Sequence, residues 1–266
     1  MDALPTLRTA ASPLRWLLAV SLFVGALPPA SADAAWPKMR SALFGERSFG
    51  TDAAVLALEA PDRAEDASIV PVSLRVGPAG GALRTLWLLV DENPSPLAAR
   101  FTLHDAVVGS IETRLRVERY TTVRAIGETD DGRLYMAEHF VRAAGGCSAA
   151  IGPADDSESA IGRMSMRRFD VAGARSELEL RIRHPNHSGL EVDLDTRGYV
   201  AADYVRELRV LQDGRPLLDA ELDISISRNP YLRFGIAANA RRLDVQVGDS
   251  RERRFDARFP PDATTP

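Results

Sequence analysis

Apolar and polar residues alternate along most of this chain. Between Ser110 and Tyr120, Ile111, Leu115 and Val117 share one face, and Glu112, Arg114, Arg116 and Glu118 share the other. That is the period of a strand with one buried face. Leu178, Leu180 and Ile182 repeat it against Glu177, Glu179, Arg181 and Arg183. Leu222, Ile224 and Ile226 do so again, as do Leu243, Val245 and Val247. The continuous apolar run Leu86–Val90 predicts a strand buried on both faces, ended by the turn cluster Asp91-Glu92-Asn93-Pro94. Asp131-Gly132, between Thr121–Glu128 and Arg133–Val141, predicts one hairpin. Asp213-Gly214, between Tyr204–Leu211 and Pro216–Ile226, predicts a second. Helical periodicity is scarce, and one short helix is expected over Trp36–Phe44. Short strands with regular turn signals predict an all-β fold of antiparallel sandwiches.

Two β-rich halves flank Ala149–Met166. That stretch holds Gly152-Pro153-Ala154-Asp155-Asp156-Ser157-Glu158-Ser159, which has little to bury and reads as a linker. The expected organisation is a first domain over 36–148, a linker over 149–166 and a second domain over 167–260. A flexible linker of that length spans roughly 20–25 Å, enough for the second domain to dock beside the first. At the other end, Arg8 and Arg15 precede the apolar run Trp16–Leu27, and Ala30, Ser31 and Ala32 follow it. A basic start, a short apolar stretch and small residues predict a signal peptide over 1–32. The run falls short of the about 20 apolar residues that span a bilayer. No other segment is hydrophobic enough to cross a membrane, so the mature chain is expected to have no span.

Charge narrows the partners. The full chain carries a formal charge of −4, which becomes −5 when Asp2, Arg8 and Arg15 leave with the leader. A mildly acidic surface argues against nucleic acid, which needs a basic patch.

The motifs of several enzyme classes are missing: there is no G-x-S-x-G, no H-E-x-x-H, no P-loop and no G-x-G-x-x-G. The histidines are His104, His139, His184 and His187. His184 and His187 lie in His-Pro-Asn-His, but Pro185 and Gly189 make this a turn, and no cysteine or carboxylate cluster in the sequence completes a metal set. Asp155, Asp156 and Glu158 lie in the linker and read as solvated charge; Arg241 and Arg242 read as a solvated strand end. No metal, cofactor or catalytic residue is expected.

One residue stands apart. Cys147 is the only cysteine of the chain, so it has no internal disulfide partner. In an exported protein a single cysteine points to an intermolecular bond or a reactive thiol; a buried cysteine acting as a small hydrophobe is the alternative. Cys147 sits in Ala143-Ala144-Gly145-Gly146-Cys147-Ser148-Ala149-Ala150. Gly145, Gly146 and Ser148 predict a thin, flexible arm with an accessible sulfur, suited to entering a partner's narrow active site. A catalytic thiol would need a fixed position and a neighbouring base, and no histidine is near in sequence.

These residues resemble a known family. Gly145-Gly146-Cys147 is similar to the carrier-arm cysteine of SoxY, the sulfur-carrier subunit of the bacterial thiosulfate-oxidising system. Arg183-His184-Pro185, the Tyr204–Gly214 hairpin and Ser227-Arg228-Asn229-Pro230-Tyr231-Leu232-Arg233-Phe234 resemble its partner SoxZ. Together the matches cover nearly the whole mature chain. The fused order resembles the SoxYZ-like carriers associated with quinoprotein (PQQ-dependent) alcohol dehydrogenases. The resemblance implies two immunoglobulin-like sandwich domains packed together, SoxY-like and then SoxZ-like. It also implies a periplasmic, non-enzymatic carrier that holds a sulfur-containing or related group on Cys147. Its partners would be sulfur-oxidation enzymes or a quinoprotein dehydrogenase system. In the separate SoxY the motif ends the chain as Gly-Gly-Cys-Gly-Gly. Here Cys147 is followed by Ser148, Ala149 and the whole second half, so the arm has two tethers and a shorter reach. The other role compatible with the residues is a non-covalent escort of a periplasmic quinoprotein dehydrogenase, with Cys147 incidental.

Overall fold

In the computed structural model, residues 35–77, 83–105, 107–150, 158–171, 175–237 and 242–260 are described. The expected signal peptide, Asp155, Asp156 and Arg241 lie outside them, as does the middle of the expected linker; of Glu158 only the backbone is described. The first half supplies helix α1 (Trp36–Phe44) and strands β1 (Phe49–Gly50), β2 (Leu56–Glu59), β3 (Val70–Val76) and β4 (Leu83–Val90). It continues with β5 (Leu97–Leu103), β6 (Val107–Leu115), β7 (Thr121–Thr129) and β8 (Leu134–Val141). The second half supplies β9 (Met164–Val171), β10 (Arg175–Ile182), β11 (Val205–Gln212) and β12 (Arg215–Leu222). β13 (Tyr231–Ala237), β14 (Leu243–Asp249) and β15 (Arg254–Phe259) complete it.

The strands form two sheets, and each sheet runs through both halves. One has nine strands in the order β1-β8-β7-β4-β5-β12-β11-β14-β15; the other has six, β2-β3-β6-β13-β10-β9. The pairs are antiparallel except β1 with β8. Within the second half alone, β12-β11-β14-β15 face β13-β10-β9, the four-on-three layout of an immunoglobulin-like sandwich. The halves join edge to edge. β5 pairs with β12 from Ala99↔Leu222 to Leu103↔Leu218, and β6 pairs with β13 through Ile111↔Phe234 and Glu112↔Arg233. Leu74, Leu86, Phe101 and Ile111 from the first half therefore share one apolar core with Leu178, Val210, Phe234 and Val245 from the second. Each such side chain contributes about 1.5–3 kcal/mol by leaving water, so separating the halves would expose the centre of that core.

Local signals account for most elements. β10 and β14 bury Leu178, Leu180 and Ile182 and Leu243, Val245 and Val247 as their patterns require, and β10 buries Glu179 as well. The Leu86–Val90 part of β4 is apolar on both faces because α1 covers its outer side. Phe44 meets Trp87 edge-on at 5.2 Å, and Leu89 joins the same small cluster, while Leu86, Leu88 and Val90 face the main core. The helix starts with Pro37 in its first turn and stops at Gly45, whose N–H donates to the Ser41 carbonyl and whose φ of 60° turns the following chain off the helix. The Asp213-Gly214 hairpin has both central residues at positive φ, 50° and 79°, the primed turn that matches strand twist.

The structure corrects three boundaries. The alternation through Leu222, Ile224 and Ile226 does not continue as a strand, because β12 ends at Leu222. The Asp223 carboxylate accepts from the Ile224 N–H at 2.6 Å and its carbonyl from Ile226 at 2.9 Å, which turns the chain across to the other sheet. β6 ends at Leu115, since Arg116 and Val117 donate to the Ser225 and Ala67 carbonyls instead of to a neighbouring strand. The end of the expected linker is already strand: β9 begins at Met164, and Met166 is buried. Among the described residues, no helix is long and apolar enough to cross a membrane.

Candidate functional site

After β8 the chain turns back along residues 116–118. Gly145 (φ 82°) donates to the Glu118 carbonyl at 2.9 Å, and Gly146 to the Val117 carbonyl at 3.0 Å. The Glu118 carboxylate then takes both following N–H groups, Cys147 at 2.8 Å and Ser148 at 3.1 Å, and the Ser148 hydroxyl at 2.6 Å. From the second half, the Ser188 hydroxyl donates to the Cys147 carbonyl at 2.6 Å. The cysteine is thus held by one side chain from each half of the protein.

This overturns the expectation of an accessible thiol on a flexible arm formed by Gly145, Gly146 and Ser148. Cys147 is 0% exposed. Gly146 serves close packing and not freedom: a Cβ there would lie 2.0 Å from the Ala67 carbonyl oxygen and 2.7 Å from the Val117 nitrogen. Small neighbours allow the segment to sink into the seam between the halves, which the sequence alone could not distinguish from exposure. Burial, then the Glu118 carboxylate, push the thiol pKa up to about 12, against a smaller opposing pull from Arg116. In this arrangement Cys147 is a protonated thiol, and the nucleophilic form is the thiolate.

Behind the segment lies a buried polar network. Arg116 donates to the Ile224 and Ile226 carbonyls at 3.2 and 2.8 Å and to Glu191 at 3.0 Å. Glu191 also accepts from His187 Nδ1 and from the Ser188 N–H, each at 3.0 Å. Asn93, from the turn after β4, donates to the Arg116 carbonyl at 2.7 Å and accepts from the Glu118 N–H at 2.8 Å. A cleft of about 260 Å³ opens beside the segment, lined by Ile69, Arg116, Gly146, Ala149, His187, Glu191 and Arg228.

His184 belongs to a second cluster. Its Nδ1 accepts from the Asn186 N–H at 3.0 Å, which pins the His-Pro-Asn-His turn with Asn186 at φ 49°. Its Nε2 lies 3.5 Å from Asp203 and 3.4 Å from Asp249. Tertiary structure therefore supplies the carboxylates that the local sequence lacks, and these three residues could in principle hold a cation. The guanidinium of Arg253 already stands there, paired with both aspartates and 3.3 Å from His184 Nε2. Burial lowers the His184 pKa and keeps the ring neutral, with Asp203 and Asp249 opposing. Of the remaining candidates, His104 pairs with Asp219 at 3.0 Å and Arg242 with Asp244 at 3.2 Å.

Glu118, Ser188, Arg116 and Glu191 carried no local signal of a role. Arg116 and Glu118 read as the solvent face of a strand, and Ser188 as part of a turn.

The family model described as sulfur oxidation protein SoxY matches residues 40–147, ending on Cys147 itself, and the model described as sulphur oxidation protein SoxZ matches residues 166–260. The chain is a fused SoxYZ-like protein. The seam described above is thus the junction of its SoxY and SoxZ domains, and Cys147 closes the SoxY domain. Among solved structures, the sulfur carrier protein SoxY from Chlorobium limicola f thiosulfatophilum matches at 21% identity with a TM-score of 0.35, over 42% of this chain and 94% of that one. No curated protein sequence matches.

Proposed function

We propose that the protein is a periplasmic sulfur carrier. It holds a sulfur-containing group covalently on Cys147 and presents it to sulfur-oxidation enzymes, without catalysing a reaction itself. The observation that carries this reading is the placement of the chain's only cysteine: it ends the SoxY domain and is gripped from both domains, by Glu118 and by Ser188. The leader over 1–32 fits export to the periplasm, where a lone thiol has redox partners. The test is intact-protein mass spectrometry of chain purified from its native periplasm, with Cys147→Ser alongside. A recurrent added mass that resists washing, yields to a thiol reductant and is missing from Cys147→Ser is the expected result. A chain that always carries a bare thiol, even when thiosulfate or sulfide is oxidised by the cells, would remove the carrier role.

The burial of Cys147 favours a second reading, a non-covalent escort of a periplasmic quinoprotein dehydrogenase. An escort would recognise its enzyme through sandwich surfaces, so wild type and Cys147→Ser would capture the same periplasmic partners with equal affinity. A partner trapped only through Cys147, as a mixed disulfide, speaks for the carrier.

A further inference from the structure

We propose that the SoxZ domain is a gate on the SoxY thiol: the side chains of Glu118 and Ser188 latch Cys147 and Ser148 shut, and Cys147 reacts only when that latch opens locally. The purpose of such a gate rests on the carrier reading; its mechanics do not. The first observation is the kind of bond involved. Both backbone groups of Cys147 are satisfied by side chains, its N–H by the Glu118 carboxylate and its carbonyl by the Ser188 hydroxyl. Neither belongs to a sheet ladder, so both can be exchanged for water while every strand stays paired. Elements held in this way open with far smaller free energies than the global fold.

The second observation concerns the glycines. Gly146 lies so close to the Ala67 backbone that only a residue without a Cβ fits the closed position. At Gly145, with φ 82°, a Cβ would meet nothing within 4 Å, so the chain can pivot there once its N–H leaves the Glu118 carbonyl. The pair thus combines a seat and a hinge. The third observation is that the latch on the SoxZ side is itself supported. The Ser188 N–H is fixed by Glu191, and the Ser188 oxygen accepts from Leu190 N–H at 3.1 Å while its proton goes to Cys147. A change in the Ser188 turn is transmitted directly to the cysteine. Opening would carry the sulfur away from Glu118 and into water. A free thiol there is a few per cent thiolate at neutral pH, so opening supplies access and reactivity together.

The test is the rate at which a maleimide labels Cys147 in the full chain, followed in water and in low concentrations of urea. With both bonds to the Cys147 backbone intact, wild type is expected to label at least about a hundredfold more slowly than urea-unfolded chain, since each is worth roughly a factor of ten. Ser188→Ala removes one bond and should label roughly tenfold faster than wild type. Glu118→Ala should label faster still. Gly146→Ala, which has no place for its Cβ in the closed seat, should approach the unfolded rate while its β-sheet circular dichroism is kept. In water and low urea these rates should be nearly flat, the mark of local opening. Wild type that labels at the unfolded rate overturns the gate. So do Ser188→Ala and Gly146→Ala chains that are folded and label like wild type, or rates that track global unfolding across the whole urea range. Fast labelling of the latch variants together with a thiol that never carries cargo in the periplasm upholds the gate and overturns the carrier reading.

Discussion

Replacing Arg116 by Met should weaken the whole fold, because Arg116 joins the two domains from inside. Its side chain and that of Glu191 are each 4% exposed, and the two meet at 3.0 Å. The same guanidinium caps the Ile224 and Ile226 carbonyls at 3.2 and 2.8 Å, where the SoxZ chain crosses between sheets. Met preserves the apolar stem, so little packing is lost. What is lost is the partner of a buried carboxylate and the donor to two carbonyls. Breaking a buried ion pair by removing one member costs about 3–5 kcal/mol. Glu191 keeps the His187 ring and the Ser188 N–H, which places the expected loss toward the lower end of that range. Against a typical total of about 5–15 kcal/mol, this is a large fraction. At about 2–4 °C per kcal/mol for a fold of this size, Tm should fall by roughly 6–20 °C. The assay is urea unfolding followed by tryptophan fluorescence, with Trp36 and Trp87 as reporters in the small cluster under α1. The midpoint should move while the slope of stability against urea stays constant, since the surface exposed on unfolding is nearly the same. Arg116→Met combined with Glu191→Met should recover part of the loss, because both charges then leave the interior together. A single variant that loses less than about 1 kcal/mol, the range of exposed pairs, would show that water reaches the pair and that the seam is not sealed as described.

Two further outcomes follow from the same geometry. The Cys147 thiol has a pKa near 12 in the fold, above its value in an unfolded chain. The unfolded state therefore gives up its proton first, and the contribution of the protonated thiol is whole below about pH 8.5 and declines above it, by about 1.4 kcal/mol per pH unit until the folded pKa is reached. Thermal melts between pH 8 and 10.5 should show wild type losing ground to Cys147→Ser as pH rises, and parallel curves for the two would mean that the thiol is solvated in the native state. Gly235 sits at the bulge where β13 meets β6, and a Cβ there would lie 2.2 Å from the Val108 carbonyl oxygen. Gly235→Ala should cost about 1–3 kcal/mol by forcing the two domains apart at that point, and an unchanged urea midpoint would refute the close approach.

Much of this protein is written locally. The alternation at Leu178-Leu180-Ile182 and Leu243-Val245-Val247 names a buried face without reference to any partner, and β10 and β14 follow it. The two Asp-Gly turns, the short helix Trp36–Phe44 and the SoxY-then-SoxZ order were equally legible. The strands, turns and helix among these depend on neighbours within a few positions in the chain, and the domain order on short motifs read one after the other.

Tertiary structure decided the rest. Periodicity says which side of a strand is buried but not what lies against it, so it could not show that β5 would pair with β12 and β6 with β13, making two sheets common to both domains. It placed Arg116 on a polar, solvent-facing side; the SoxZ domain covers that side and turns the residue into an interior ion pair. The same covering reversed the reading of Cys147. Glycines and small residues are needed both for a mobile arm and for a segment that must approach another backbone closely, and the chain around Cys147 looks alike in either case. Ala67, Glu118 and Ser188 settle the matter, and they lie 80, 29 and 41 residues away in sequence. A short loop of glycines and small residues has no burial of its own to announce, since its burial is conferred by groups that only folding brings to it.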